Sequence, residues 1–535
     1  MSCTRAGVAT LVIALATIGA PRRAAACCGF YVAGSDQPMF NDATQVVLMR
    51  MGTRTVLSVQ NNYQGPPDAF AMVIPVPVVL HEGDVKTLAK DVFARVERMG
   101  APRLVEYWEQ DPCRVIEEQP TRPMMAMRAE APAGVQLARG LGVTVEAKFA
   151  VGEYQVLILS AKDSTGLETW LVQQKYRIPA GAEPLLRPYV EAGSKFFVAK
   201  VDPAKVAFDS DGRAALSPLR FHYDSEELAL PIRLGLASSS GIQDLIVNIL
   251  APHQRYEVSN YPNVTIPTNI DVGEVVKDKF PAFYAALFDR TLEKNPGAVV
   301  TEYAWQASSC DPCPGPALGQ ADFVALGADV LVGPRDKPVL YPGSDLVLTR
   351  LHARYDKTIT DDLRFREAAP IVGGRELVQN GQGGLEEGAR AAPQNNFQGR
   401  YAIRHPWTDP IRCEHPQRGV WGGPPDGIAE HVQPAVGIAR APRGQIELAR
   451  VVRRNVPELG IVAGKVAEAA PPGSAAARGA AKPPAAGSAA PAAPVVSGAP
   501  GCGCATTGPS DALAGAALVA AGWIAGRRRR QIRRG

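Results

Sequence analysis

Cysteine is the residue type with the clearest capacity for chemistry in this 535-residue chain, which contains nine of them. Cys310 and Cys313 are separated only by Asp311 and Pro312, a C-x-x-C spacing that suits a local disulfide or a redox-active pair. A redox-active first cysteine normally begins a helix, because the helix dipole lowers the pKa of its thiol. Here Pro314-Gly315-Pro316 follows the pair, so we expect no helix and favour a structural disulfide over redox chemistry.

Six cysteines remain when Cys3 near the N-terminus and the two near the C-terminus are set aside. An even number of cysteines in an exported chain predicts disulfides, but six allow 15 pairings and the sequence does not choose among them. A zinc site would have to use Cys413 with His405 and His415, whose spacing matches no known finger, and we therefore predict no metal. The candidate disulfide cysteines are Cys27, Cys28, Cys113, Cys310, Cys313 and Cys413.

Motifs for other chemistries are missing from the sequence. It has no G-x-S-x-G elbow, H-E-x-x-H pair, Walker loop, or G-x-G-x-x-G after a strand. The seven histidines are scattered, and a lone histidine is more often a surface or core residue than a base. Asp361 and Asp362 are neighbours that should point to opposite sides, as solvated turn acids. Asp209-Ser210-Asp211-Gly212 could begin a calcium loop, but Arg220 stands at the later position where such a loop needs Glu. The segment therefore predicts a turn. We predict no catalytic residue and no cofactor.

The charge balance of the chain argues against a nucleic-acid-binding protein. The net charge of +4 comes from the two ends, and residues 27–501 carry 48 basic and 52 acidic side chains. Phosphate binding needs clustered Lys and Arg on the folded part of the chain, so we predict no nucleic-acid partner.

Residues 1–26 are typical of a secretory signal peptide. Arg5 precedes an unbroken run of apolar and small residues at 8–20, and Ala24-Ala25-Ala26 offers a cleavage site. We therefore expect the export machinery and signal peptidase as partners. Cys27 after the cut allows a lipoprotein reading, but Ala24 stands where a lipobox has a large aliphatic residue.

The C-terminus has the order of a sorting signal. Residues 467–501 are almost entirely Ala, Pro, Gly and Ser, a composition typical of a flexible tether. Residues 502–535 then hold Cys502 and Cys504, a short apolar segment at 512–526, and an Arg-rich end. Fifteen residues span about 22 Å as a helix, short of the ~30 Å hydrocarbon core, so this transmembrane segment suits a transient stop better than a permanent span. The arginines are Arg527, Arg528, Arg529 and Arg530.

That tail resembles the MYXO-CTERM type of surface-sorting signal. The resemblance implies processing near Cys502 or Cys504 by a tail-processing peptidase and delivery to the cell surface. An ordinary membrane anchor with its tail retained is the alternative.

Between the ends, periodicity predicts an α+β fold. We expect a β-rich, mostly antiparallel sheet core with several short helices, Pro/Gly-rich loops and disulfides. The composition, 46% hydrophobic with 51 Gly and 46 Pro, agrees with a globular and loop-rich chain. A hairpin is expected at 45–60 around Gly52, and helices at 85–99 and 280–292. Further expected elements are a second hairpin at 143–159, helices at 166–174 and 182–192, and strands at 196–201, 219–223, 245–250, 299–305, 346–354 and 362–366.

The predicted organisation is a main domain at 27–370, a Gly/Gln/Asn-rich loop or linker at 371–396, and a C-terminal docking arm at 397–466. The main domain has room for two subdomains. Phe397, Tyr401, Trp407 and Trp421 make the arm the densest aromatic block of the chain. We favour an arm that packs on the main domain, with a ligand-contact platform as the alternative. If Cys413 pairs with a cysteine in 27–113, that disulfide links the arm covalently to the N-terminal part of the main domain.

Several segments resemble the bacterial family called domain of unknown function 2330. The resemblance covers about residues 27–360, and residues 404–425 look like an extension shared by long members. It implies a secreted or surface protein with no assigned activity, and it brings no catalytic residues. The segments that carry it are Cys27-Cys28-Gly29-Phe30, Gln60-Asn61-Asn62-Tyr63, Ala71-Met72-Val73-Ile74-Pro75-Val76-Pro77, Glu106-Tyr107-Trp108, Lys195-Phe196-Phe197-Val198-Ala199-Lys200-Val201, Ala229-Leu230-Pro231-Ile232-Arg233-Leu234 and Ser309-Cys310-Asp311-Pro312-Cys313.

These observations lead to one expectation about function. We expect an exported, surface-anchored envelope protein with a structural or ligand-binding role and no catalysis, its extracellular ligand unidentified. The alternative is an extracellular hydrolase with an unfamiliar site. A deep cleft with converging His, Asp or Glu side chains would favour that enzyme.

Overall fold

A computed structural model describes most of the chain between residues 30 and 464. The described residues are 30–33, 40–64, 70–113, 144–174, 176, 178, 181–206, 216–238, 242–331, 345–375, 385–424, 431–438 and 443–464. The predicted signal peptide, tether and sorting tail lie outside them.

Strands hold more of the described residues than helices do, as expected for a β-rich α+β fold. They are β1 (Phe30–Ala33), β2 (Phe40–Met51), β3 (Arg54–Gln64), β4 (Phe70–Val76), β5 (Val85–Thr87), β6 (Arg103–Glu109), β7 (Thr144–Val151), β8 (Tyr154–Ser160), β9 (Lys195–Val201), β10 (Leu219–Asp224), β11 (Leu228–Leu230), β12 (Gln243–Pro252), β13 (Arg255–Val258), β14 (Asn263–Thr265), β15 (Ile270–Asp271), β16 (Val299–Gln306), β17 (Leu346–Tyr355), β18 (Leu363–Ala368), β19 (Ile371–Gly373), β20 (Arg390–Ala391), β21 (Asn396–Gln398), β22 (Arg400–His405), β23 (Trp421–Gly422) and β24 (Val432–Pro434).

The helices are short, and α4 is the longest of those described. They are α1 (Lys90–Gly100), α2 (Ser164–Gln173), α3 (Ala182–Glu191), α4 (Phe280–Lys294), α5 (Gln320–Phe323), α6 (Asp329–Leu331) and α7 (Leu448–Val451). Local sequence explains their starts: the Asp163 side chain accepts a hydrogen bond from the Gly166 amide before α2, and Pro281 occupies the first turn of α4. Single turns of 3-10 or π type lie at Glu82–Asp84, Pro203–Lys205, Arg233–Ser238, Glu274–Lys279, Val324–Ala328 and Pro457–Leu459.

The strands form four sheets. The largest has the order β20-β19-β21-β16-β17-β12-β2-β3-β10-β5 with β14 also on β16, and a second has the order β1-β4-β9-β8-β7. Two smaller sheets contain β11-β18-β13 and β15-β22-β6-β23, the latter with β24 on β6. Most pairs are antiparallel, but β12 runs parallel to β2, and β22 runs parallel to β6.

Alternating side chains build a layered core from these sheets. In β12, Leu245, Val247 and Ile249 face the five-stranded sheet, where they meet Ile158 and Phe197. Side chains of β4, β8 and β9 on the opposite face of the five-stranded sheet pack on α2 and α3. The opposite face of the large sheet is covered by two separate apolar clusters, one with α4 and the arm, the other with α1 and residues 318–331. A strand buried on both faces reads as a continuous apolar run, which is why β12 was recognisable.

The expected hairpins are present, with Gly52 and Gly152 in the left-handed conformation at their turns, both at φ +57°. The expected helix at 85–99 is wrong at its start. Residues 85–87 form strand β5 on β10, where Val85 pairs with Phe221, and the helix begins at Lys90. The β-branched Val85 and Thr87 explain the strand, because they suit a half-buried pleat.

Residues 371–396, expected as a loop or linker, contribute to the large sheet at both ends. Val372 pairs with Arg390 on one side and with Asn396 on the other. The stretch 376–384 between them lies outside the described residues. The Gly-rich composition of the segment hid these short strands.

Candidate functional site

Three neighbouring strands of the large sheet bring charged side chains to a face that α4 covers. Arg350, His352 and Arg354 alternate along β17, so all three point to that face. A β-bulge between Thr301 and Tyr303 leaves Glu302 as an extra residue of β16, and its carboxylate contacts Arg350 and His352. We call the following residues the ion network: Asp244, Tyr284, Asp289, Glu302, Arg350, His352, Arg354 and Arg443.

Glu302 is the centre of the network and is completely buried. Its carboxylate accepts hydrogen bonds from Arg350 Nε at 2.6 Å, from the Tyr284 hydroxyl at 2.5 Å, and lies 2.7 Å from His352 Nδ1. Burial alone would raise the pKa of Glu302, but the charges of His352 and Arg350 outweigh it and hold that pKa at about 2. Glu302 is therefore ionised at neutral pH.

His352 lies between two carboxylates. Its Nε2 is 3.3 Å from Asp244 Oδ1, its Nδ1 faces Glu302, and its ring stacks on Phe288 with 3.7 Å between centroids. Burial alone would lower the pKa of His352, but the attraction of Glu302 and its hydrogen bonds to both acids raise the pKa above the ordinary value. Since both ring nitrogens face carboxylate oxygens, this site favours the doubly protonated form of His352.

The network continues to the arm through Asp244 and Asp289. Arg354 donates to Asp244 at 2.9 Å and to Asp289 at 2.5 Å, with its guanidinium 4.9 Å from the centroid of the Phe288 ring. Arg443 of the arm donates to Asp244 at 2.9 Å and also to Asp289. Burial alone would raise the pKa of Asp244, yet the hydrogen bond and charge of His352, with the two arginines, hold it well below its usual range.

The ion network holds neighbouring elements of the fold together, and it offers no general base. A base needs a nitrogen or oxygen that is free to take a proton from a substrate. Both nitrogens of His352 face carboxylates, and its side chain is 1% exposed. The network joins β12, β16, β17, α4 and the arm through paired charges, which is the way buried ions are normally tolerated.

A surface pocket of about 360 Å³ lies beside the network. Ile232, Ile242, Tyr261 and Leu363 give it an apolar lining, and Arg354 forms part of its wall. The Arg354 guanidinium is engaged by Asp244 and Asp289, so it is not a free charge for a ligand.

The acid in the pocket wall is Asp356. Its carboxylate accepts hydrogen bonds from the amide and hydroxyl of Thr358. The pocket therefore lacks the converging His, Asp and Glu side chains that a hydrolase needs.

Four of the six candidate disulfide cysteines form two disulfides. Cys113 pairs with Cys413, with 5.5 Å between their Cα atoms, and Cys310 pairs with Cys313 at 4.9 Å. The sequence left this pairing open, and the structure joins the arm to residues 27–113 through Cys113 and Cys413. Pairing of Cys413 also removes the zinc candidate, and no group of potential metal ligands occurs among the residues that the structure describes.

The other predicted site residues lie outside the described residues. These are Cys27, Cys28, Cys502, Cys504, Arg527, Arg528, Arg529 and Arg530. The predicted transmembrane segment 512–526 lies outside as well. Among helices in the described ranges, none has the length and apolar character to cross a membrane.

The aromatic residues of the arm differ in how deeply they are buried. Phe397 and Tyr401 are fully buried core residues beside α4. Trp407 and Trp421 are half-buried, and Arg404 lies 5.0 Å from the centroid of the Trp421 ring. Part of the block is therefore core, and part of it stays partly exposed.

Asp362 was expected to be a solvated turn acid, and that expectation is wrong. Its carboxylate accepts hydrogen bonds from the amides of Ile232 and Arg233 and from the Tyr189 hydroxyl, and its side chain is 13% exposed. These partners are distant in sequence, so local spacing did not reveal them.

Sequence reasoning also missed the ion network. The available signal was the alternation of Arg350, His352 and Arg354 within the strand predicted at 346–354. Charged residues on a covered face require partners, but their identity depends on pairing between distant strands.

Comparison with known proteins identifies a family. No curated protein and no solved structure shows significant similarity to this chain. The model of one family matches residues 22–366, well over half of the chain and close to the span that the sequence motifs indicated. The chain therefore belongs to the family described as uncharacterized proteins conserved in bacteria, domain of unknown function 2330.

Proposed function

We propose that this protein is exported and held at the outer cell surface by its processed tail, where its body has a structural or ligand-binding role. The observation that carries the proposal is the Cys113–Cys413 disulfide, which joins residues 300 positions apart. Disulfides of this kind persist in oxidising compartments and are rare in the cytosol. The export machinery, signal peptidase, a tail-processing peptidase and the membrane are the partners that the proposal requires.

The position of this disulfide supports a structural purpose. β22 of the arm runs parallel to β6, and His405 pairs with Trp108 near the end of both strands. The segments that follow the two strands therefore leave the sheet side by side. Cys113 and Cys413 lie shortly beyond those strand ends and hold them together. The Glu109 carboxylate accepts hydrogen bonds from the amides of Trp407 and Gly419, which fix the arm further.

A hydrolase is the alternative, and the described residues give it little support. The buried histidine has no free nitrogen, and the pocket beside it is mainly apolar. A binding role suits such a pocket better, since ligand pockets are mostly apolar with few polar groups.

Intact-mass analysis of protein recovered from the surface of the producing cells tests the proposal. We expect a product without residues 1–26, shortened or modified near Cys502 or Cys504, with its mass reduced by two hydrogens for each disulfide. Cys502→Ser combined with Cys504→Ser should block tail processing. Cys413→Ser is the matched control and should leave tail processing unchanged. A full-length product in the cytoplasm with reduced thiols would overturn the proposal.

A further inference from the structure

The two disulfides differ in accessibility. Cys310 and Cys313 lie in the loop between β16 and α5, where Cys313 is exposed and Cys310 is half-buried against the cluster formed with α1. Cys113 and Cys413 are both half-buried. Cys310–Cys313 is therefore the more accessible of the two disulfides, and access for an external thiolate is the first requirement for thiol–disulfide exchange.

Two buried side chains hold the loop independently of its sulfur atoms. Arg103 Nη1 donates to the Pro312 carbonyl at 2.7 Å, and Gln398 Nε2 donates to the Asp311 carbonyl. Arg103 and Gln398 are both 0% exposed. Because neither contact involves sulfur, opening the disulfide leaves the backbone of the loop anchored.

Arg103 also supplies a positive charge near Cys313. Its described hydrogen bonds end on the carbonyls of Met99, Ala101 and Pro312, and its guanidinium lies 5.4 Å from the centroid of the Tyr303 ring. The charge of Asp311 also acts on Arg103, but no carboxylate lies within ion-pair distance of it in the part of the chain that the structure describes. Arg103 donates to the carbonyl of the peptide bond that precedes Cys313, and a cation near a cysteine favours its thiolate over its thiol.

We propose that Cys310 and Cys313 form a thiol–disulfide exchange site that accepts two electrons from a dithiol of another exported protein. A thiolate of that partner attacks Cys313 Sγ, the sulfur–sulfur bond to Cys310 breaks, and Cys310 leaves as a thiolate that takes a proton. The other thiolate of the partner then attacks the partner's own sulfur in the mixed disulfide. This step forms the partner's disulfide, and Cys313 leaves as a thiolate. The partner gains a disulfide, and this protein gains two thiols. The exchange is stoichiometric and goes beyond the structural or binding role.

The test begins with the folded, fully oxidised protein and reduced dithiothreitol, followed by alkylation and mass analysis at successive times. We expect Cys310–Cys313 to open at least about tenfold faster than Cys113–Cys413, with the circular dichroism spectrum unchanged. A reduced two-cysteine peptide should then be converted to its disulfide by the oxidised protein. The variant Cys310→Ser with Cys313→Ser should lose this activity, whereas Cys113→Ser with Cys413→Ser should keep it.

A pair of charge variants separates an exchange site from an ordinary exposed disulfide. Arg103→Gln should raise the thiol pKa of Cys313, and Asp311→Asn should lower it, each by about one unit or tenfold in thiolate fraction at neutral pH. The pH dependence of iodoacetamide labelling in a Cys310→Ser background measures that pKa. Asp311→Asn keeps the test valid if Arg103→Gln fails to fold.

Equal opening rates for the two disulfides would overturn the proposal. Opening that requires unfolding, or a Cys313 pKa that Asp311→Asn leaves unchanged, would overturn it as well.

Discussion

Glu302→Gln is the substitution that tests the ion network most directly. The change keeps the size of the side chain and removes the charge that faces Arg350 and His352. Glu302 and Arg350 are both 0% exposed, so water cannot replace the lost partner. Removing one member of a buried ion pair costs about 3–5 kcal/mol, because the other charge stays buried without compensation. Here two cations lose the same partner, which places the expected loss at the upper part of that range.

The loss is large compared with the total stability of a domain, about 5–15 kcal/mol. Urea unfolding of the disulfide-intact protein, followed by tryptophan fluorescence, should show a midpoint lower by roughly 1 M or more. Glu227→Gln is the matched control. Glu227 pairs with Arg364 at 3.5 Å, with both side chains about half exposed. Such pairs contribute about 0–1 kcal/mol. If both variants unfold within about 1 kcal/mol of the natural protein, the argument for a structural role of the network is refuted.

Three further predictions follow from the same contacts. The pKa of His352 is raised in the folded protein, so its stabilisation is complete below the unfolded value of about 6.5 and is lost as the pH rises through the folded pKa. Urea unfolding between pH 6 and 9 should show this decline, and His352→Gln should flatten it; an equal slope in both proteins would contradict the assignment. Cys113→Ser with Cys413→Ser opens a loop of 300 residues. The chain-entropy relation sets an upper limit of about 5–6 kcal/mol for the loss, and limited proteolysis should release the arm; an arm that stays resistant would show that the disulfide is dispensable. Asn248 is fully buried with both amide atoms unpartnered by described residues, so Asn248→Leu should raise the free energy of unfolding by about 1 kcal/mol; a decrease measured by urea unfolding would reveal a bound water instead.

Sequence patterns predicted the elements of this fold better than their arrangement. The apolar run at 245–250 and the helical spacing at 280–292 correspond to β12 and α4, since each segment buries a face that its own periodicity reveals. The parallel pairing of β22 with β6 joins segments about 300 residues apart, and neither strand carries a signal that names its partner. Family motifs helped with identity and left this pairing open.

The candidate site was less predictable for the same reason. Glu302 lies in a bulge of β16, and its partners Arg350 and His352 lie on β17, so the contact depends on the pairing of these two strands. Arg443 comes from the arm and meets Asp244 only after the chain has folded back. The cysteine count predicted disulfides but left the pairings open, because the partner of Cys413 also depends on how the chain folds back.

The arm lies beyond the matched family span of 22–366, yet it joins that span at two distant points of the sequence. Cys413 forms the covalent tie to Cys113, and Arg443 forms the ionic tie to Asp244 and Asp289. The ionic tie adds to a network that is already balanced inside the span, because Arg354 contacts both of these acids.

Without the arm, Asp244 would keep Arg354 and His352 as partners, and Glu302 would keep Arg350. The core cluster around α4 would lose apolar residues that the arm contributes. It includes Phe397, Tyr401 and Ile403 of the arm, all nearly or fully buried. The arm therefore contributes mainly apolar cover for α4 and the face of the large sheet beneath it, and its charged contacts fix where that cover lies.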